Sequence, residues 1–528
     1  MSRVRLLSVG VVSVMASLTG TGTTPANAAT SAQPKLLVTI LVDGLDENCL
    51  RMLRPSMGPD GFNRLINGGL SVTALDYGSR ADAAAAAAML LTGAGAAVNS
   101  VPASEVYDTD TRRPTPSLHD PEALGNFTSQ TLSPQAISVS TLADELRING
   151  GGSSRVHSVA IRPEEAIILS GHAGNTALWI DATVPRWATT TYYKETPAVL
   201  TRLNYGQPLA ARLDTMRWTP SSKALALESV PESKRKYSFS YTFPTKVATS
   251  ADAFMRSPKV NSEVTQVALS QLESLGNPAL GTDMLGVTYT LSPYPYSRTG
   301  DTRLETYDAY LRLDSDIASI LNAADKAAGP GGSVIMLAAL PPTSGQRRDD
   351  EQWRVPGGKF SPKKAVSLLN MYLMAVHGSG EWVSGYHDRQ FYLNTKLAED
   401  RKVNVDALRQ EAAQFLTRMS GVRRAETIDA VLAADTAETV LAAASGDVFI
   451  DIIPGWEIEQ DSTAAVSDSR HTGVERALPP MPLYILAPGV TPRRIDARVD
   501  ARRVAPTVAG LLRIRSPGAA SEPPLPLE

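Results

Sequence analysis

A short, continuous apolar run that ends at Asp43-Gly44 constrains the fold more than any other feature of the sequence. The run extends from Lys35 to Val42, reads K-L-L-V-T-I-L-V, and is rich in β-branched residues. It predicts a strand that is buried on both faces of a parallel sheet, because a half-exposed strand would alternate apolar and polar residues. Similar runs recur at Ser158–Ile161, Leu285–Leu291, Ser333–Leu340, Asp447–Ile453 and Leu483–Ala487.

Segments of helical character lie between these runs. Strands that alternate with helices predict an α/β fold, in which helices cover both faces of a central, mostly parallel sheet. Ligands of such sheets bind beyond the carboxyl ends of the strands. Asp43 follows one of these strands directly and is therefore the first candidate site residue. The predicted helical segments are Ser140–Ile148, Thr302–Ala327, Pro362–Ala375, Val405–Met419 and Val504–Ile514.

The N-terminus has the pattern of a secretory signal peptide. Arg3 and Arg5 precede an apolar run from Leu6 to about Leu18, and an A-N-A motif ends at Ala28. This order of a charged region, a short apolar region and a small-residue cleavage site predicts a signal peptide at residues 1–28. The apolar run is too short for a permanent membrane span. We therefore expect an exported protein, periplasmic or secreted, without a stable transmembrane anchor.

The remaining sequence predicts one large domain with inserted lobes. A length of 528 residues with 43% hydrophobic content allows a large core. We assign residues 29–515 to one α/β domain. Insertions are predicted at about 103–134 and 185–250, and a more helical subsidiary lobe at about 349–443. Residues 516–528 are rich in proline and predict an irregular tail.

Charge and cysteine content exclude several classes of function. The net charge of −3 and the lack of a basic tract argue against a nucleic-acid-binding protein. The chain has one cysteine, Cys49, which excludes an intrachain disulfide framework and a cysteine-based zinc site. The six histidines are dispersed along the sequence.

The segment Asp76–Gly93 predicts a helix with an unusual beginning. It contains six consecutive alanines, Ala83 to Ala88, which have the highest helix propensity. Ser79 and Asp82 resemble a capping box, and either of them is a candidate N-cap. The free N–H groups at a helix N-terminus suit an anion, and hydrolases often place a nucleophile there. Here that position carries alanine.

Several longer motifs follow one another in a recognisable order. They are L-L-V-T-I-L-V-D-G to Gly44, G-F-N-R-L-I-N-G-G-L from Gly61, L-L-T-G to Gly93, A-I-R-P-E-E-A-I-I-L-S-G-H from Ala160, Y-L-R-L-D-S-D-I from Tyr310, F-Y-L-N from Phe391, S-G-D-V-F-I-D-I-I-P-G-W from Ser445 and V-A-P-T-V-A-G-L-L-R-I from Val504. Together they resemble the alkaline phosphatase superfamily, in particular the bacterial phosphate-irrepressible alkaline phosphatases and the nucleotide pyrophosphatase/phosphodiesterases. The resemblance implies two zinc ions bound by three Asp and three His, and a Thr or Ser nucleophile.

The family's metal ligands are mostly replaced in this chain. Asp43 matches the first ligand, at the end of the first strand. His471 lies about nine residues before the position of the last ligand, and only a refolded loop would let it take that place. The resemblance puts the remaining five ligand positions at Pro293, Ser297, Leu340, Pro341 and Pro480.

The nucleophile and the phosphate contacts are replaced as well. The nucleophile position falls on Ala83 or, in a register shifted by one, on Asp82. The family's phosphate-contacting Asn falls on Ser104, and its Lys-x-Arg becomes Arg162-Pro163-Glu164. A glutamate in that place would repel a phosphate dianion.

We therefore interpret the chain as a pseudoenzyme of alkaline phosphatase-like fold. It would hold no zinc cofactor and would act as a binding, scaffold or partner subunit for a protein or a small ligand. One alternative is a metal-dependent phosphatase or phosphodiesterase with a rebuilt, zinc-dependent site, because function depends on the site and not on the fold. Another is a structural subunit of an envelope assembly. Structural roles are the competing interpretations for single residues: a hydrogen-bond acceptor for Asp43 and an N-cap for Asp82.

Overall fold

The computed structural model describes residues 33–527, except for 79, 195–197, 228–237, 279, 298–301, 343–356, 454 and 460–478. The predicted signal peptide, the proposed cap Ser79 and the candidate ligand His471 lie outside the described residues. Within the described part of the chain, no helix has the length and apolar character needed to cross a membrane.

The described residues form strands of two to eight residues. In chain order these are β1 (Leu36–Asp43), β2 (Leu70–Asp76), β3 (Glu105–Asp108), β4 (Arg113–Pro116), β5 (Gly125–Asn126), β6 (Val156–Val159), β7 (Thr176–Asp181), β8 (Arg186–Thr190), β9 (Arg217–Trp218), β10 (Tyr241–Thr242), β11 (Asp283–Thr290), β12 (Ser333–Leu340), β13 (Gly358–Phe360), β14 (Val383–His387), β15 (Gln390–Leu393), β16 (Val422–Thr427), β17 (Val448–Ile452), β18 (Trp456–Ile458), β19 (Leu483–Leu486) and β20 (Arg493–Asp500).

Each of the five helical segments predicted from the sequence contains a helix. The α-helices are α1 (Glu47–Leu53), α2 (Phe62–Gly68), α3 (Ala83–Thr92), α4 (Ala96–Asn99), α5 (Leu142–Asn149), α6 (Pro163–Ser170), α7 (Ala198–Thr201), α8 (Leu209–Leu213), α9 (Ser222–Ala226), α10 (Ser250–Met255), α11 (Pro258–Leu272), α12 (Arg303–Ala328), α13 (Pro362–His377), α14 (Thr395–Asp400), α15 (Val405–Thr417), α16 (Ile428–Ala434) and α17 (Val504–Leu512).

A central sheet has the strand order β20-β2-β19-β12-β1-β11-β6-β7-β8-β5. β1 lies between β11 and β12 and is parallel to both, and the parallel pairing continues from β11 through β6 to β7. β1, β11 and β12 are buried along their whole length, as continuous apolar runs predict. The predicted α/β fold with a mostly parallel central sheet is confirmed.

Two predicted strands differ from the expected parallel arrangement. β17, in the run Asp447–Ile453, pairs with β15 and β16 in a separate four-stranded sheet. β19, in the run Leu483–Ala487, belongs to the central sheet but is antiparallel to both of its neighbours. Apolar content predicts that a strand is buried, whereas its direction and its sheet depend on how the chain returns to it.

The predicted insertions contribute directly to the structure around them. β5 and β8, which form one edge of the central sheet, lie in the segments predicted as insertions at 103–134 and 185–250. The region predicted as a subsidiary lobe encloses its own hydrophobic cluster, which extends past residue 443 into β17. The described residues 516–527 form no helix or strand, but Leu525 is buried and its N–H donates to Thr507 of α17. The domain boundaries themselves stay predictions.

Candidate functional site

The carboxyl ends of β1, β11 and β12 meet at Asp43. In the register of the sheet, Asp43 pairs with Thr290 on one side and Leu340 on the other. The chain then turns at Gly44, whose φ is +75°, and a Cβ added there would lie 2.9 Å from the backbone nitrogen of Ser292. A glycine at this turn therefore lets the Ser292 segment close over the end of β1.

The Asp43 carboxylate is buried and engaged by three neighbours. The Ser292 hydroxyl donates to Oδ1 at 3.1 Å, and the Thr290 hydroxyl lies 3.5 Å from Oδ2. The Arg162 guanidinium approaches Oδ2 with Nη1 at 3.4 Å. Only 4% of Asp43 is exposed. A fixed cation and two hydroxyls thus compensate a buried charge that would otherwise be costly.

Arg162 is positioned by the N-terminus of α6, where it is the N-cap residue. Its Nε donates to both oxygens of Glu165, at 2.9 and 3.2 Å, and its Nη2 donates to the same carboxylate. Burial opposes the charged form of Arg162, but the carboxylates of Glu165 and Asp43 outweigh burial and raise the pKa of the guanidinium. Arg162 is therefore a permanent cation held between two buried carboxylates.

Glu164 adds a further negative charge to this group. It is 3% exposed, and its carboxylate also favours the charged form of Arg162. Three carboxylates, those of Asp43, Glu164 and Glu165, therefore accompany one guanidinium. A phosphate dianion brought to Arg162 would meet an excess of negative charge, which costs more in a partly buried site than in water.

The residues predicted to stand at the nucleophile position lie at the beginning of α3. Ala83 is the first residue of this helix and is buried. Asp82 is its N-cap, and its Oδ1 accepts from the backbone N–H of Ala85 at 2.9 Å. Its Oδ2 accepts from the backbone N–H and the hydroxyl of Ser104, the former at 2.7 Å. The structure thus joins two predicted site residues, Asp82 and Ser104, in a helix cap.

Four of the other five predicted ligand positions lie at or after the carboxyl ends of strands, and Pro480 precedes β19. Pro293 and Ser297 follow β11, and Leu340 ends β12 before Pro341. The carbonyl of Pro480 accepts from the backbone N–H of Glu47 at 3.0 Å. Zinc requires imidazole, thiolate or carboxylate donors, which proline and leucine side chains lack. These side chains do not fit a zinc ion, and the described residues contain no group of three or more His, Cys, Asp or Glu placed to share a metal.

Aromatic side chains line a small cavity beside Thr290 and Ser292, the two hydroxyl residues that contact Asp43. This cavity has a volume of only about 10 Å³, and its lining includes Tyr294. Trp218, from the segment predicted as an insertion, packs edge-on against Tyr294 with ring centroids 5.0 Å apart. Since a single water needs roughly 10–15 Å³ of such space, this cavity has no room for a phosphate ester.

The Asp43 group comprises Asp43, Arg162, Glu164, Glu165, Thr290 and Ser292. Sequence reasoning missed three of them, Glu165, Thr290 and Ser292. Glu165 follows Arg162 by three residues in the first turn of a helix, and this spacing is a readable signal for an ion pair. Ser292 had no comparable signal, since its contact with Asp43 depends on the turn at Gly44. His172, which ends the motif that begins at Ala160, contacts Asp144 Oδ2 and the Ile137 carbonyl, both at 2.9 Å.

The chain is similar to known phosphatases over nearly its whole length. No family model matches it. Alkaline phosphatase PhoV of Synechococcus elongatus is 25% identical over 517 residues, 92% of each protein. Alkaline phosphatase PafA of Elizabethkingia meningoseptica is 25% identical over 552 residues, 98% of each protein. The crystal structure of wild-type PafA superposes with a TM-score of 0.77 at 22% identity, covering 94% of this chain and 98% of PafA, and shows a shared fold.

Proposed function

Because the chain is a member of the alkaline phosphatase superfamily, we propose that it is an exported pseudoenzyme that acts by binding and not by hydrolysis. One observation carries the proposal. The one aspartate that remains at a family ligand position, Asp43, is engaged by the Arg162 guanidinium and by Ser292. A guanidinium in contact with this carboxylate takes the place at which a metal cation would have to bind.

The position of the nucleophile supports the same proposal. Phosphoryl transfer in this family needs a hydroxyl group that a metal activates and cations that hold the phosphate oxygens. Ala83 offers a methyl group, and both oxygens of Asp82 accept hydrogen bonds as part of a helix cap. Arg162 is already paired with two carboxylates. We therefore propose that the protein holds no catalytic zinc.

The second candidate is a metal-dependent phosphatase or phosphodiesterase with a rebuilt site. The names of the two similar proteins favour it, because both are alkaline phosphatases. In that case Asp43 would be a working ligand, and Asp82 would be a candidate carboxylate nucleophile.

Turnover of aryl phosphate monoesters and diesters, with and without added zinc, separates the two candidates. The wild-type protein is assayed beside Asp43→Ala and Asp82→Ala, with alkaline phosphatase PafA as the positive control. We expect all three forms of this protein to match the buffer blank. Hydrolysis by the wild type that either substitution abolishes would reject the pseudoenzyme proposal.

Metal content gives an independent test of the same proposal. We expect well under one tightly held zinc ion per chain after dialysis, because one carboxylate cannot complete a tetrahedral site. A chelator should also leave the melting temperature unchanged, since no metal contributes binding energy to the folded state. Two zinc ions per chain would favour the phosphatase.

Export is the remaining part of the proposal and has its own test. The predicted signal peptide at residues 1–28 implies a periplasmic or secreted protein whose mature N-terminus lies at Ala29. N-terminal sequencing of the protein from its native host should find this end. A cytoplasmic protein that retains Met1 would contradict export without affecting the proposal about the site.

A further inference from the structure

A second cleft lies between the loop that precedes α3 and the segment around α16. It has a volume of about 210 Å³, and its lining includes Arg80, Arg424, Glu426, Val431, Thr436 and Val440. Since a single water needs roughly 10–15 Å³ of such space, this cleft has room for more than ten waters. It is therefore large enough for a small organic molecule.

Arg80 is a cation of this cleft for which the described residues provide no hydrogen-bond acceptor. Its Cζ lies 4.5 Å from the centroid of the Phe449 ring, and its side chain is 22% exposed. Its ion pair with Glu426 has a separation of 3.8 Å, too long for a hydrogen bond, and it donates to no other residue that the structure describes. Burial lowers the pKa of the guanidinium. A planar group with five N–H donors is thus held beside open space.

The acidic residues of the cleft already have partners of their own. Glu426 pairs with Arg424 at 2.9 Å, closer than its 3.8 Å separation from Arg80. Asp435 accepts from the Thr439 hydroxyl at 3.0 Å and from the Val440 N–H at 2.7 Å. The charges of Asp451 and Glu426 favour the charged form of Arg80, but neither carboxylate accepts a hydrogen bond from it.

The walls of the cleft are fixed by close packing. Gly78 has a φ of +76°, and a Cβ added there would lie 2.7 Å from the Thr439 methyl group. Val431, Val440 and Phe449 belong to one buried hydrophobic cluster. The cleft thus combines a rigid shape, an apolar wall and one guanidinium with open donors, which is typical of a small-molecule site.

We propose that this cleft binds a small organic monocarboxylate. Both carboxylate oxygens would accept from the Arg80 fork, a planar pairing that arginine favours, and the hydrocarbon part would contact Val431 and Val440. The lining has two arginines and two acidic residues, Glu426 and Asp435, so a dianion such as phosphate would meet more repulsion than a monoanion. The proposal concerns a site other than the Asp43 group and does not depend on the absence of hydrolysis.

Fluorine NMR with para-fluorobenzoate tests the site on the full-length mature protein. We expect saturable binding below about 20 mM, the range in which a weak site with a Kd of about 1 mM becomes filled. Arg80→Gln should weaken binding about tenfold or more, because charge-assisted hydrogen bonds are lost. Thr436→Trp, a change at an exposed position of the rim, should block the cleft.

Three controls make the test specific. Arg113→Gln, at an exposed arginine outside the cleft, should leave binding unchanged, and the neutral isostere fluorobenzamide should not bind. Should Arg80→Gln fail to fold, Arg80→Lys keeps the charge without the planar fork and should weaken binding several-fold. Equal binding of fluorobenzamide, equal displacement by inorganic phosphate, or unchanged affinity in Arg80→Lys or Thr436→Trp would overturn the proposal.

Discussion

Arg162 and Arg80 have the same exposure, 22% of each side chain, but opposite surroundings. Arg162 is the N-cap residue of α6 and donates to Glu165 while contacting Asp43. Arg80 precedes α3, lies over the ring of Phe449 and has no hydrogen-bond acceptor among the described residues. Burial opposes the charge of both, but carboxylates raise the pKa of Arg162 whereas burial lowers that of Arg80. The hydrogen-bond acceptors around each arginine, and not its exposure, therefore determine which of the two can bind a ligand.

The cavity near Asp43 and the cleft beside Arg80 also differ in volume. About 10 Å³ remains beside Thr290 and Ser292, which contact Asp43, and about 210 Å³ is open beside Arg80. In the first region, the Asp43 carboxylate contacts Arg162, and aromatic side chains line the small cavity. In the second region, the Arg80 guanidinium donates no hydrogen bond to the described residues. The comparison predicts that the first region stabilises the fold and that the second region binds a ligand.

The largest expected effect is the loss of stability on Arg162→Met. This substitution leaves Asp43 and Glu165 buried without their cation, and breaking a buried pair in this way costs about 3 kcal/mol or more. Urea unfolding at neutral pH measures the change in the free energy of unfolding.

Arg80→Met is the matched control for Arg162→Met. It removes the same charge at the same exposure but breaks no hydrogen bond, so we expect a change within about 1 kcal/mol. Equal losses in the two variants would contradict the assignment of a structural role to Arg162 alone.

The second prediction concerns the coupling between Arg162 and Asp43. Asp43→Asn removes the charge that Arg162→Met leaves uncompensated, so the double variant should be less destabilised than the sum of the single variants. We expect an interaction free energy of about 1–2 kcal/mol for residues in direct contact. A double-mutant cycle from urea unfolding measures it, and strict additivity would show that the 3.4 Å contact contributes nothing.

The third prediction concerns Asp82, which follows Arg80 by two residues. As the N-cap of α3 it accepts from Ala85 and Ser104, so Asp82→Ala should cost about 1 kcal/mol of stability. Asp82→Asn keeps an acceptor and should lose less. Urea unfolding of both variants checks the order, and an equal loss would show that the negative charge matters more than the cap.

The two regions were not equally accessible to prediction from the sequence. The apolar run before Asp43 predicts a buried strand end, and six alanines after Asp82 predict a capped helix, because both are local patterns. The contact between Arg162 and Asp43 joins residues 119 positions apart and depends on the order of strands in the sheet. Arg80 had no signal at all, because Phe449 and the α16 segment reach it through a separate sheet whose position no local pattern predicts.

The smallest expected effect is a change of stability with pH. The stabilisation by His172, at the C-terminal end of α6, should depend on pH, whereas that by Arg162, at the N-terminal end, should not. His172 follows the C-terminus of α6, and its hydrogen bond with Asp144 raises its pKa, although burial opposes the charge. A raised pKa means that the folded state favours protonated His172. Its stabilisation is therefore fully present below the ordinary pKa of about 6.5 and is lost as the pH rises through the folded value.

The pKa of Asp144 determines how far the pH can fall before this stabilisation is lost. Burial alone would raise its pKa, but hydrogen bonds from His172 and Thr141 lower it, so its contribution is lost only as the pH falls through that lowered value. His172→Gln should therefore cost about 1 kcal/mol near pH 5.5 and much less near pH 9. Arg162 stays charged throughout this range, so the loss on Arg162→Met should stay nearly constant. Urea unfolding of both variants at the two pH values tests this difference, and a His172→Gln loss that does not change with pH would show that the histidine acts as a neutral hydrogen-bond donor.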